Sequence, residues 1–432
     1  MRHFAIVAVI SGCLLLGMGL LLSGPFAADT ASPIWAPPAL SELIQEGIDG
    51  NQEIKSLEER VESLKAGISF AGALDDPRLG FAIVNLPVDS FRFDRTPMTQ
   101  KQIFIAQKFP WFGKLDLKTQ REALTVIRQQ AVLEAGRLEL ARNIADAYYQ
   151  LGFVATSLQI NARLTDIINQ LLGVAETRYA TGKGLQQDVL QAQVELSKLL
   201  DEKIDLDKRR RTLEDRINGL LNRAGYTPVQ PPLDLSYPEL QLEVKTLQDQ
   251  ALKSNPRLKI RQADISIADK EIELAHKDYW PDMDVRLAYG LREEDRAGKN
   301  FPDLVTGSVT MNIPLWQNSR QDSKLAAVKK SRQAAFSFYR NLLESLPHQV
   351  DALVTEIHDT QKNYKLFNDA LLLQAEQWAS SSLTAYEVGS VNFNTMIGAQ
   401  VRLLRFELQT SNYIFRIYQK RAELEEILGG PL

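Results

Sequence analysis

One cysteine, Cys13, is the only thiol in 432 residues, and it lies within the first apolar stretch. A disulfide framework, thiol catalysis and cysteine-built metal clusters are therefore excluded from the rest of the chain. Histidine is almost as scarce, at four residues. The ten-residue gap between His348 and His358 is about 1000° of helical rotation, which leaves the two on different faces. With His276 far away in sequence, no metal site is expected. Basic excess is also missing: 50 lysines and arginines stand against 54 carboxylates, a net charge of −4. That balance argues against a nucleic-acid partner. No phosphate-cradling glycine loop and no Ser/His/Asp set is found, so neither a cofactor nor enzyme chemistry is expected. Beyond residue 22 no apolar run reaches the ~18 residues that a spanning helix needs. Any further crossing of a membrane must use strands.

What is present begins with a leader. Met1-Arg2-His3 is a short basic start, Phe4 to Leu22 is nearly all apolar, and small residues follow through Ala27. Residues 1–27 read as a secretory signal removed after export. Two alternatives stand beside it: a retained anchor, since the run is nearly long enough to span, and lipidation of Cys13 within Ile10-Ser11-Gly12-Cys13.

The remainder repeats itself. Leu43, Ile48 and Asn51 recur as Leu247, Leu252 and Asn255, and Pro77 and Pro110 recur as Pro281 and Pro314, all 204 positions on. Tyr179-Ala-Thr-Gly182 recurs as Tyr386-Glu-Val-Gly389, 207 positions on. A constant phase over such distances reads as a duplicated unit, 28–235 and 236–432. Each unit carries a short helix (Leu40 to Lys65, then Leu247 to Lys277), two alternating segments and a long helical hairpin. The alternating segments are Arg78 to Val88, Gln100 to Pro110, Met283 to Tyr289 and Val305 to Ile313. Most come near the ~9–11 residues of a tilted membrane strand, with one apolar and one polar face. Ordinary soluble hairpins are the other reading of these segments taken alone.

Proline is absent from Trp111 to Thr227, so Lys114 to Tyr179 can form one helix of about 100 Å. A helix of that length needs support along its side. Columns at a spacing of seven supply it: Ile144, Leu151 and Leu158; Ile160, Ile167 and Val174; Leu199, Leu206, Leu213 and Leu220. Gly182 turns the first hairpin and Gly389 the second. Pro347 lies in the ascending helix of the second unit and is expected to kink or interrupt it. The fold class is therefore mainly α with a membrane β-barrel contribution: a duplicated β-β-α-α unit with long antiparallel coiled-coil hairpins. Four strands have two open edges, which lipid does not tolerate, and spanning barrels start at about eight strands. Copies must pool their strands. Three copies give a twelve-stranded trimeric barrel.

Asn255-Pro-Arg-Leu258, Gln107-x-Phe-Pro-Trp-Phe-Gly-Lys114 and Tyr-x-x-Gly tips followed by Ala-Gln-Val resemble TolC-like outer-membrane efflux proteins. Phe109 to Lys114 resembles the branch serving heavy-metal resistance–nodulation–division pumps. The resemblance implies a homotrimer in outer-membrane lipid, extending into the periplasm, whose tips meet a periplasmic adaptor (membrane fusion) protein linked to an inner-membrane pump. The cargo would be small solutes or metal ions in passive transit. It places Tyr179, Gly182, Leu185, Asp188, Tyr386, Gly389, Val391 and Thr395 at the tips. Pro110, Trp111, Gly113, Pro314 and Trp316 fall at the strand-to-helix junctions. The family often closes its periplasmic end with aspartates; here Thr395 and Gly398 occupy those places. The rival functions are a type I protein-secretion duct and, from another class, a periplasmic coiled-coil scaffold or adaptor without a pore.

Overall fold

The computed structural model describes residues 34–432 except Asp234 and Arg296. The expected leader at 1–27 and Cys13 lie outside the described residues. The chain runs α1 (Pro38–Gly50), α2 (Gln52–Gly72), β1 (Arg78–Val84), β2 (Gln100–Phe109), α3 (Lys114–Ala180) and α4 (Gln186–Leu220). The same order then returns as α5 (Val244–Ser254), α6 (Pro256–Lys277), β3 (Met283–Leu291), β4 (Leu304–Met311) and α7 (Gln321–Leu366). A π-helical turn (Phe367–Leu371), α8 (Leu372–Glu387) and α9 (Phe393–Leu428) complete the second hairpin. Among the described residues no helix is long and apolar enough to cross a membrane.

Each expected short helix is two helices, and an asparagine makes the break. Asn51 is extended (φ −71°, ψ 123°), and its side chain accepts from the N–H groups of Glu53 and Ile54, capping α2. Its Nδ2 donates to the carbonyl of Leu220 at 2.9 Å. Asn255 caps Leu258 in the same way and donates to the carbonyl of Ile427 at 2.7 Å. Each asparagine thus starts one helix and satisfies an orphan carbonyl at the end of another. Asn51→Ala is expected to cost about 1–2 kcal/mol, read as a lower melting midpoint in the helical circular-dichroism signal.

The long helix forms as expected, with 67 residues in α3. Its seam lies one position away from the expected Ile160–Ile167–Val174 column. Ile160, Leu164, Ile168, Leu171 and Ala175 are buried, whereas Val174 is 46% exposed. Steps of four, four, three and four keep one stripe on the helix, and that stripe faces both α4 and α9. Pro347 does not interrupt α7, which continues through it to Leu366. The irregularity falls twenty residues later in the π-helical turn at Phe367–Leu371, where the Phe367 ring meets Phe406 and Tyr413 edge-on. An extra residue in a turn is a known way to fit bulky side chains into a helix packed on its neighbours.

Four helices are maintained along the length. Next to the sheet, α2 and α6 lie beside the first halves of α3 and α7, tied by Arg137–Glu58, Arg128–Asp264 and Arg332–Asp269. Beyond the middle, α4 and α9 take their places, with Asn161 donating to the carbonyl of Leu199 at 3.1 Å and Arg416 paired to Glu356. Two cores occupy the middle. One gathers Leu40, Ile44, Ile144, Tyr149 and Phe415 around α1. The other gathers Leu247, Val350, Ile357 and Leu424 around α5.

Candidate functional site

The four strands form one antiparallel sheet in the order β1-β2-β3-β4, leaving β1 and β4 as open edges. Register decides the faces. Leu79 pairs with Ile105, Ile105 with Leu287 and Leu287 with Gly307; one step along, Phe81, Ile103, Tyr289 and Val305 align. With Ile83, Val285, Val309 and Met311 these residues make a continuous apolar face. It is open: Leu79 is 78% exposed and Val305 68%. The opposite face carries Arg78, Gln102, Lys108, Asp284, Arg286, Thr306 and Ser308 by the same register. Water on one side and hydrocarbon on the other is the environment this pattern fits.

The strands hand over to the helices at an asymmetric junction. Pro110 ends β2, and Gly113, at φ +80°, turns the chain into α3 with a backbone that side chains disfavour. Trp111 stacks on Trp280 at 5.0 Å, and its N–H donates to Asp282 Oδ1 at 2.9 Å. Lys114, nearly buried, reaches Asp282 at 2.9 Å and Asp278 at 3.2 Å. Asp282 and Asp284 are committed to Lys114 and to Arg78. The second junction is held differently: Lys324 of α7 reaches Asp278 at 2.6 Å, Tyr279 donates to Asp322, and no tryptophan stack covers them among the described residues. Pro314 and Trp316 follow β4, and Trp316 is 73% exposed.

At the far end both hairpins turn by one device. The N–H of Lys183 returns to the carbonyl of Arg178 at 2.8 Å, and that of Ser390 to Ala385 at 2.9 Å. Gly182 and Gly389 take the left-handed conformation at φ +71° and +76°. This is the six-to-one closure that glycine permits. The two tips touch. Arg178 donates to the carbonyl of Tyr386 at 2.9 Å and lies over its ring at 4.7 Å, while Gln191 bonds Asn394 at 2.7 Å. Tyr386 is buried against Phe393. Tyr179 and Leu185 are exposed, Asp188 and Val391 half-buried, and Thr395 is exposed and bonded to Asn392.

The family model described as outer membrane efflux protein matches residues 43–223 and 247–430. The chain belongs to that family. As a member of the outer membrane efflux family it is a non-enzymatic export-channel subunit of the outer membrane, reaching into the periplasm. Its fold is similar to that of CusC, whose crystal structures concern transmembrane channel formation, with TM-score 0.77, 14% identity and coverage of 92% of this chain and 93% of that one. VceC, an outer membrane protein of Vibrio cholerae, matches with TM-score 0.75 and 18% identity over 91% and 96% of the two chains. An uncharacterized protein of Haemophilus influenzae is 19% identical over 202 residues. That match spans 45% of this chain and 43% of the relative, so less than half the length of the curated relative is covered.

Sequence reasoning missed Arg178, Trp280 and Lys114 as members of these sites. A signal existed for one of them: Trp280-Pro281-Asp282 opens the second strand pair as Asp76-Pro77 opens the first, and a tryptophan there is conspicuous. For Arg178 nothing in the local pattern announced a contact 208 residues away.

Proposed function

We propose that the chain is one third of a homotrimeric duct, in which twelve strands close a barrel in outer-membrane lipid and twelve helices continue it toward the periplasm. The observation that supports this reading is the sheet itself: an open apolar face of membrane height with two unpaired edges. Such edges cost several kcal/mol per unsatisfied group in hydrocarbon, so a lone copy is not a stable membrane species. The tips, from Tyr179 to Asp188 and from Tyr386 to Thr395, would meet a periplasmic adaptor that links the duct to an inner-membrane pump. The pump supplies the energy, and the cargo is a small solute or a metal species in passive transit. Residues 1–27 are proposed to be the export signal, and 28–235 and 236–432 the two copies of a duplicated unit. The recurrence of helix break, strand pair and hairpin supports the duplication.

Native mass spectrometry of the detergent-solubilised protein tests the assembly. A trimer is expected; a stable monomer without conductance in planar bilayers would favour a scaffold. The tip assignment has its own test. Tyr386→Ala removes the ring under Arg178, and Asp188→Ala removes the acidic group in the first turn of α4. Both are expected to raise the open fraction of bilayer channels or reduce dependence on an adaptor. Unchanged gating in both would remove the tips from the mechanism.

A further inference from the structure

The polar face of the sheet is not evenly polar. Two ranks cross it. Arg78, Ala106, Arg286 and Ser308 stand in one, and Gly80, Phe104, Ala288 and Thr306 in the next. The Phe104 ring lies flat on the strand beside it, because Gly80 leaves room: a Cβ there would sit 2.3 Å from the ring. On that ring rests the guanidinium of Arg286, 3.7 Å from its centre. A ring face attracts a cation but does not neutralise it.

The neighbouring charges are spoken for. Arg78 is paired with Asp284, Lys108 lies 3.9 Å from Asp282, and Lys114 takes Asp282 and Asp278. Among the described residues no carboxylate lies within ion-pair distance of Arg286. Farther along the same face Ala82, Gln102, Thr306 and Gln100 are neutral. Toward the outer loops, Glu293 is paired with Lys101, and Asp303 accepts from Tyr289 and the backbone of Arg292. Arg286 is thus an anchored cation with no ion-pair partner of its own, its nearest carboxylate on the strand, Asp284, being taken by Arg78.

We infer that Arg286, seated on Phe104, is a charge filter in the barrel lumen, so that the duct favours anionic and neutral solutes over bare cations. The inference rests on the trimeric duct proposed above and narrows its cargo. Twelve strands spaced ~4.8 Å apart and tilted ~40° give a backbone radius on the order of 12 Å. A long side chain extending inward from that wall brings its charge within about one Debye length, ~8 Å, of the axis. Three copies then act together on every ion that passes, between low-dielectric walls that focus the field. Phe104 limits the positions the guanidinium can take, so the collar is fixed in depth.

The test is the reversal potential of purified channels in planar bilayers under a KCl gradient. Relative to wild type, Arg286→Gln is expected to raise the potassium-to-chloride permeability ratio, and Arg286→Glu to raise it by roughly tenfold. Arg286→Lys keeps the charge and is expected to stay near wild type. Conducting channels whose selectivity is the same in all four proteins overturn the filter alone. A wild type that never conducts overturns the duct, and the filter with it. Should Arg286→Glu fail to assemble, trisodium citrate added to wild-type channels decides the matter. Voltage-dependent block that Arg286→Gln relieves supports the filter, and current indifferent to citrate in both contradicts it.

Discussion

Leu287→Arg is expected to remove the protein from the outer membrane. Leu287 is the central residue of β3, flanked by Ile105 and Gly307 on the apolar face. An arginine at the bilayer midplane of a barrel costs about 2–4 kcal/mol, and a trimer would carry three, on the order of 6–12 kcal/mol together. That is comparable to the whole stability of a typical folded protein, about 5–15 kcal/mol. Thr306→Arg places the same side chain on the other face of the sheet and is expected to be tolerated, changing conductance instead of insertion. Membrane fractionation with a heat-modifiability gel separates the two outcomes. Equal loss of both variants would mean that the two faces are not distinguished by lipid.

Lys114→Met is expected to loosen the joint between barrel and tube. Lys114 is the cation that holds Asp282 and Asp278 beneath the Trp111–Trp280 stack. Methionine keeps the packing of the stem but removes the cation nearest Asp282, which is left with the Trp111 N–H and the more distant Lys108, while Asp278 keeps Lys324 at 2.6 Å. Breaking such a pair from one side costs about 3 kcal/mol, the low end for enclosed ion pairs, because Asp282 keeps the Trp111 N–H. The same site carries a pH signature. Burial opposes ionisation of Asp282, yet hydrogen bonds from Lys114 and Trp111 outweigh it and hold the carboxyl below its usual range. A depressed value in the folded state adds stability that is complete above the ordinary aspartate value of about 3.9. That stability is lost as pH falls through the lower folded value. Melting curves from neutral to acid pH are therefore expected to fall more steeply for wild type than for Asp282→Asn. Parallel curves would remove Asp282 from the acid response.

Much of this architecture is legible in the sequence. Period-two alternation placed the four strands, because a sheet between lipid and water allows only one kind of residue on each face. The proline-free run from Lys114 placed α3 to within a residue at each end. The break inside each short helix was not read, although Asn51 and Asn255 had been matched as repeats. An asparagine in a helical run looks like a mild local cost, and its role as a cap depends on a carbonyl 169 or 172 residues away. The seam of α3 shifted by one position for a similar reason. Two apolar columns fit a period of seven, and only the presence of both α4 and α9 decides which is buried. Of the two effects expected at Pro347, interruption does not occur, since a long helix packed on neighbours can accommodate a proline that would break an isolated one. At the candidate site the tip glycines and Tyr386 were read from their motif. Arg178, Trp280 and the Arg286–Phe104 pair were not, because each acts through a residue on another strand or hairpin.

The open edges of the sheet allow the most direct measurement. Within one copy β1 and β4 are separated by two strands, roughly 14 Å at the usual ~4.8 Å spacing, too far for a disulfide. The described chain offers no cysteine of its own. Phe81→Cys combined in turn with a cysteine at Val305, Gly307 or Val309 therefore reports only on contacts between copies. Oxidation in membranes is expected to give a ladder ending at a covalent trimer for at least one pair. Monomers alone, for every pair and with the protein still membrane-bound, would contradict a barrel closed by three copies.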